Sequence, residues 1–274
     1  MEKLTYTVHG DKLPVSIKEY LLLLGFSLTL IKKVKYGGIL LNGESVTVRA
    51  KVNNGDEIAV ILPDEISENI QPMDIQLNIV YEDENILVAD KPKNMPTHPS
   101  RGNSLPTLAN AVMGRYGGNF VFRAITRLDR DTSGLVLIAK DRISAYKLSE
   151  DMKAGRIKKE YRALVEGIPE CKSGRIDAPI RRAAEGDIRR GVFPDGKSAV
   201  TDYTVIDTVG ENAICEINLH TGRTHQIRVH MAHIGHPLVG DFLYGKRDET
   251  NYNLRCFRLT FFHPVSNEKI VLEV

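Results

Sequence analysis

Between Val52 and Asp90 the chain carries ten acidic residues and not one lysine or arginine. Pro63 and Pro72 punctuate this stretch. A proline fixes φ and removes a backbone donor, so neither suits the interior of a helix or of a central strand. An interruption of this kind divides a chain into units with separate cores, and 274 residues are enough for two. The expected boundaries are 1–62 for a first domain, 63–74 for a flexible acidic linker and 75–274 for a second domain. The net charge is +2, so everything outside the acidic stretch carries +12. Basic surfaces beside an acidic connector suit a polyanionic partner. Charge alone does not choose RNA over DNA, and a solvated acidic linker beside scattered basic residues would give the same numbers.

A hydrophobic content of 42% and a charged content of 26% are those of an ordinary soluble globular protein. Met1-Glu2-Lys3-Leu4 lacks the basic-then-apolar pattern of a signal peptide. The longest apolar run, Tyr20 to Phe26, is too short to span a bilayer. Cys171, Cys215 and Cys256 have neither metal-ligand nor disulfide spacing, which points to a reducing compartment. A cytoplasmic protein away from the membrane is expected.

In the first unit, Ile17, Tyr20, Leu21 and Leu24 form an apolar stripe on a helix from Ser16 to Leu24. Ser27 is a good N-cap for a second helix reaching about Tyr36 and carrying Lys32, Lys33 and Lys35. Gly37-Gly38 ends it, a strand and turn follow at 39–44, and a last strand runs from Ile58 to Leu62. In the second unit a hairpin pairs Ile79–Tyr81 with Ile86–Ala89. Helices are expected at Leu108–Tyr116, Ile143–Lys153 and Thr224–Ile234. Strands are expected at 135–139, 160–165, 199–207, 213–218, 259–262 and 269–272. This order lacks βαβ alternation and argues an α+β fold with a mixed, largely antiparallel sheet.

Candidate chemistry centres on Asp129, in Arg127-Leu128-Asp129-Arg130-Asp131-Thr132-Ser133-Gly134. A carboxylate between two arginines is expected to stay ionised, as a neighbouring cation favours the charged form. Such a group serves as a nucleophile, while the arginines suit a phosphate backbone. A surface ion pair is the plain alternative.

Five ordered blocks carry a resemblance to the RluA-type pseudouridine synthases. They are Arg127-Leu128-Asp129 with Thr132-Ser133-Gly134, Asp90-Lys91-Pro92 through His98-Pro99, and Lys159 to Gly167. The fourth is His220-Thr221-Gly222-Arg223-Thr224-His225-Gln226-Ile227-Arg228-Val229-His230-Met231. The fifth is Leu254 to Pro264. Residues 1–62 resemble the S-four type of RNA-binding module, small and α/β, with lysines where arginines are usual.

The resemblance implies an isomerase converting uridine to pseudouridine in structured RNA, ribosomal or transfer, with neither cofactor nor metal. It implies Asp129 as the catalytic carboxylate and Tyr161 as a residue that stacks on the uracil and serves as a general base. Arg228 would be the arginine paired with Asp129. Arg127 would replace the extruded base, with Arg223, His225, Gln226 and Leu254 at the substrate and Lys32, Lys33 and Lys35 on the RNA-facing helix. A monomer is expected. Two positions depart from the family pattern: Thr126 stands where His is usual, and Arg255-Cys256 replaces His-Ala. A non-catalytic RNA-binding assembly factor is the alternative of another class, and a hydrolase using Asp129 with Asp131 is a third. His220, His225, His230, His233 and His236 crowd together, yet lack zinc-ligand spacing.

Overall fold

The computed structural model describes all residues except 1, 12, 64, 66–69, 100–105 and 246–251. Its first part comprises β1 (Glu2–Thr7), β2 (Val15–Ser16), α1 (Ile17–Leu23), α2 (Leu28–Val34), β3 (Ile39–Leu41), β4 (Glu44–Ser45), β5 (Lys51–Val52) and β6 (Glu57–Leu62). Both helices start where the serines placed them. Ser16 Oγ accepts from the Glu19 amide while the Glu19 carboxylate accepts from the Ser16 amide, a reciprocal capping box. Ser27 Oγ accepts from the Leu30 amide at 3.1 Å. The sheet order is β1-β6-β3-β4. Strand β1, absent from the expectation, pairs antiparallel with β6 from Glu2↔Leu62 to Thr7↔Glu57. Its half-buried Leu4 and Tyr6 alternate with exposed Lys3, Thr5 and Thr7. Ile17, Leu21, Phe26, Ile31, Val34, Ile58 and Val60 form a core of their own.

The flexible linker needs correcting. Residues 64 and 66–69 of it lie outside the described residues, but several others are tied down. Met73 N–H donates to Asn110 O at 3.0 Å, and Asn110 Nδ2 donates to Gln71 O at 2.8 Å. Glu65 takes Arg123 and Arg142 at 2.6 and 3.1 Å. Glu65, one of the acidic residues that read as solvated in the sequence, thus finds two arginines about 60 to 80 positions away, a pairing no local pattern reveals.

The second part contains β7 (Asn78–Glu82), β8 (Ile86–Lys91), α3 (Leu108–Arg115), β9 (Arg123–Ala124), β10 (Ser133–Ala139), α4 (Arg142–Lys153) and β11 (Lys158–Val165). It continues through β12 (Ser173–Asp177), β13 (Ile180–Arg182), β14 (Arg190–Val192), β15 (Val200–Val209), β16 (Asn212–Leu219), α5 (Gln226–His233), β17 (Leu254–Phe262) and β18 (Lys269–Glu273). The large sheet runs β12-β15-β16-β11-β17-β10-β8-β7, with β18 on β17 and β9 on β10. It is mixed: β10 and β17 run parallel and the other pairs antiparallel. The short strands β12, β13 and β14 were not foreseen, and β17 begins at Leu254 rather than Leu259.

All seven residues of β10 are buried, as its unbroken apolar run requires. The parallel junction is short, Ser133↔Arg255 and Gly134↔Cys256. Gly134 has φ +113, and a Cβ there would lie 2.1 Å from Cys256 O. Only glycine permits both that conformation and that approach. Gly134→Ala is expected to cost about 3 kcal/mol of stability through strain and clash. A thermal melt within a degree or two of the parent would contradict this.

Candidate active site

Asp129 sits on the loop entering β10, and that loop is pinned from below. Lys91, fully buried at the end of β8, donates from Nζ to the carbonyls of Pro92, Met95 and Arg130 at 2.8, 2.7 and 3.1 Å. Burial lowers its ammonium to about 8, opposed by Asp131, Asp129 and Asp90. Thr97 Oγ1 donates to Leu128 O and accepts from Leu128 N–H, clamping the residue before Asp129. The Thr132 amide closes the turn onto Asp129 O at 3.2 Å.

The expected arginine flanks are not formed. Arg130 turns to the buried Asp131 and donates through Nε and Nη2, both at 2.9 Å. Asp131 is thereby occupied, which removes it as a reactive partner carboxylate for Asp129. Asp129 itself has one charged-group neighbour within ion-pair range among the described residues, His225 Nε2 at 4.0 Å.

A pocket opens to solvent around Asp129. Arg127, Lys159, Tyr161, Leu219, Arg223, His225, Gln226, Ile227, Arg228 and Leu254 all line it. Tyr161 comes from β11, where a bulge between Glu160 and Tyr161 shifts the register against β17. A bulge re-aims a side chain at a sheet interior. Burial pushes the Tyr161 hydroxyl well above its ordinary value, helped by Cys256 and Asp129. Burial thus opposes the phenolate form that the general-base role implied by the resemblance would draw on. Lys159, not foreseen from the sequence, places Nζ 5.9 Å from the Tyr161 ring centroid. Its position two residues before Tyr161 on one strand was the available signal. Burial lowers its pKa, against the pull of Cys256 and Asp129.

Helix α5 supplies the opposite wall. It begins at Gln226, not Thr224, because His225 takes a left-handed conformation at φ 59. Arg228 then points away from the expected partner and into Asp241. Nε and Nη2 each donate to that carboxylate at 2.6 Å, and both side chains are nearly inaccessible. The Tyr252 ring lies 4.4 Å from the guanidinium carbon. The Asp129–Arg228 pair expected from the sequence is thus replaced by Asp241–Arg228, although Asp129 still acts on Arg228 through space.

Gln226 is also reassigned. Its Oε1 accepts from Thr221 Oγ1 and the Arg223 amide, and its Nε2 donates to Val200 O and Thr201 Oγ1. A primary amide offers two acceptor sites and two donors, so none remains for substrate. It holds the Thr221–Arg223 turn instead. Arg223 is exposed and braces Ser198 O through Nε at 2.9 Å.

Of the clustered histidines, His230 bonds Thr201 and Ala178, His220 bonds Asp202, and His236 bonds Glu166 O. No group of three or more His, Cys, Asp or Glu could hold a metal ion among the described residues. Thr126 accepts from the Leu137 amide at 2.9 Å and so braces β10, while Arg255 bonds Asp90 at 2.9 Å. Exposed Lys32 and Lys33, with half-buried Lys35, lie at the end of α2 and do not line the pocket.

A family profile described as RNA pseudouridylate synthase matches residues 85–233. An RNA pseudouridine synthase of Bacillus subtilis (strain 168), YjbO, is 39% identical over 93% of this chain and 93% of its own length. This chain belongs to the RluA-type family of RNA pseudouridine synthases. The ribosomal large subunit pseudouridine synthase D of Pasteurella multocida is 40% identical over 83% of this chain and 76% of its own. The human RNA pseudouridylate synthase domain containing 1 superposes with a TM-score of 0.61 at 28% identity, covering 73% of this chain and 83% of that one.

Pseudouridine synthases are isomerases of uridine in RNA, and the pocket has what that chemistry uses. One carboxylate stands unsealed by any arginine, a protonated phenol and two aliphatic side chains offer a surface for a flat base, and Arg127, Lys159 and Arg223 bring positive charge for an anionic strand. No helix among the described residues is long and apolar enough to cross a membrane.

The two aspartates should respond differently to substitution. Asp241→Ala strands a buried guanidinium and is expected to cost about 3–5 kcal/mol. Asp129→Asn removes no short ion pair and should stay within about 1 kcal/mol of the parent. Chemical denaturation of both variants checks this, and equal losses would contradict it.

Proposed function

We propose that this enzyme isomerises uridines in structured ribosomal RNA, with the large-subunit RNA as its substrate. The single observation that carries the site assignment is the unsealed Asp129 carboxylate in a pocket walled by Tyr161, Ile227 and Leu254. The choice of RNA is supported by the name of the Pasteurella relative at 40% identity.

In this reading the target nucleotide leaves its stack and enters the pocket, and the planar guanidinium of exposed Arg127 fills the gap in the RNA. The uracil lies on Tyr161, between Ile227 and Leu254. Asp129, the catalytic residue, acts as nucleophile at the sugar or the base, or as the base that takes a sugar proton. The C1′–N1 bond breaks, the uracil rotates, a C1′–C5 bond forms, and the C5 proton is lost while N1 gains one. Atoms and electrons balance without an oxidant or a group donor. Arg228, locked to Asp241, supplies a fixed positive charge beneath the pocket. Residues 1–62 form an S-four-type RNA-binding domain that presents Lys32, Lys33 and Lys35, and residues 75–274 form the catalytic domain. In this reading the enzyme works in the cytoplasm, as a monomer.

Tritium release from C5-labelled uridine in unmodified RNA reports this isomerisation directly. Wild type should release tritium from ribosomal RNA. Asp129→Asn should release none while binding RNA as before, and an active Asn variant would remove Asp129 from its role. Release from transfer RNA alone would overturn the substrate choice. No release from any RNA, with binding intact, would favour a non-catalytic assembly factor.

The N-terminal lysines make a separate prediction. Lys32→Ala with Lys33→Ala should weaken RNA binding and flatten log Kd against log salt by about 0.7–0.9 for each phosphate that is no longer neutralised. An unchanged salt slope would give that helix another job.

A further inference from the structure

His225 is held in an unusual way for a residue at a helix start. It lies in the left-handed region at φ 59 and ψ 18 and makes no side-chain capping bond. A non-glycine residue in this region stores strain that the surroundings must over-determine, and such residues gather at functional sites. Here the hydrogen-bonding partner is a tyrosine. Tyr244 Oη stands 2.8 Å from His225 Nδ1, with the two rings edge to face at 5.7 Å. Tyr244 is itself oriented, for Oη accepts from the Arg190 amide of β14 at 2.9 Å.

The direction of this chain follows from the donors. Oη receives the Arg190 N–H and keeps both a proton and a lone pair for Nδ1; the Asp129 carboxylate on the Nε2 side favours the tautomer protonated there, so Oη donates to Nδ1. The neutral imidazole then carries its proton on Nε2, which is the nitrogen facing Asp129 Oδ2 at 4.0 Å. That gap is too long for a hydrogen bond but within reach of a small rotation.

We propose that His225 is a positioning residue for Asp129: its Nε2–H, aimed by Tyr244, closes on one carboxylate oxygen when substrate fills the pocket and leaves the other to face the sugar and base. This rests on Asp129 being the catalytic carboxylate. It extends the histidine's assignment from touching substrate to orienting the group that reacts.

The neutral ring is the working form. Burial lowers the pKa of His225, and of the charged groups that face it Asp129 and Asp241 pull it up while Arg228 and Arg190 push it down. Protonation puts a hydrogen on Nδ1, so Tyr244 can no longer donate there, and it ties Asp129 into an ion pair. Turnover should therefore fall with acid below pH 6.5, the ordinary histidine value, as His225 gains its proton.

Three variants test this with C5-tritiated RNA at saturation. His225→Asn keeps a residue that tolerates the left-handed backbone but loses the reach of Nε2. It should lower kcat about tenfold, the scale of one lost transition-state hydrogen bond, at unchanged KM and RNA affinity. His225→Gln, whose amide nitrogen reaches the Nε2 position, should recover most of kcat and show an acid limb shifted to lower pH. Tyr244→Phe leaves residue 225 in place, frees its tautomer, and should lower kcat by a smaller factor. Parental kcat and pH profile in both His225→Asn and Tyr244→Phe would overturn the proposal while leaving the proposed function standing. A loss confined to KM would do the same. No tritium release by wild type would remove the catalytic reading and this proposal with it.

Discussion

Two halves of the large sheet meet at a junction only two residues long, where Ser133 and Gly134 of β10 run parallel to Arg255 and Cys256 of β17. On one side lie β7, β8, β9 and β10; on the other lie β11, β12, β15, β16, β17 and β18. Asp129 enters from the first half and Tyr161 from the second, so the pocket exists because these strands come together. The approach is so close that a methyl group at 134 would overlap a carbonyl oxygen. The Thr-Ser-Gly following the aspartate is therefore a joint between two sheets as well as a turn. A joint this short holds because its neighbours are stiff: β10 continues along β8 for six residue pairs, and β17 continues along β11.

The charges around the pocket are arranged so that Asp129 stays available. Arg130 is taken by Asp131, Arg228 by Asp241, and Lys91 by three carbonyls. Each of these cations is already satisfied by something else. A carboxylate held in a bidentate arginine pair would have both oxygens occupied and would react poorly. Satisfying the cations elsewhere leaves Asp129 without direct capture by an arginine among the described residues. The buried Arg228–Asp241 pair carries a large desolvation cost, which the amides of Leu243 and Tyr244 offset by donating to the same carboxylate. Placing the pair under the pocket keeps that cost in a rigid part of the fold.

Local signals in the sequence were read correctly, and long-range partners were not. Ser16 and Ser27 gave the helix starts because capping acts over three residues, and the apolar run of β10 gave a buried strand because it needs no partner to be recognised. Asp129, Tyr161, Ile227 and Leu254 do meet at one pocket. What failed was pairing. Arg130 lies beside Asp129 in sequence yet bonds Asp131. Arg228 finds Asp241 thirteen residues on, beyond the motif that carries it. Gln226 reads as a free polar group in a motif and is in fact saturated by a loop. Strand β1 was missed because its alternation covers only six residues and depends on β6, whose paired residues lie fifty to sixty positions away.

The state of Tyr161 narrows the proton bookkeeping of the proposed reaction. Forming pseudouridine ends with loss of a proton from C5, and some group must accept it. A phenol buried this deeply resists ionisation, since creating a phenolate there costs solvation that nothing nearby returns. It can stack, and it can donate. Lys159 is pushed toward neutrality by the same burial, but Asp129 draws it back toward the charged form. In the tautomer proposed for His225, with Nδ1 accepting from Tyr244, Nε2–H faces the carboxylate, so it too faces the cavity as a donor. In the proposed reaction Asp129 is the lining carboxylate available to accept that proton. On the proposal made for His225, one oxygen is steadied by the imidazole and the second keeps a lone pair toward the substrate, so the carboxylate proposed to open the reaction is also placed to take the last proton.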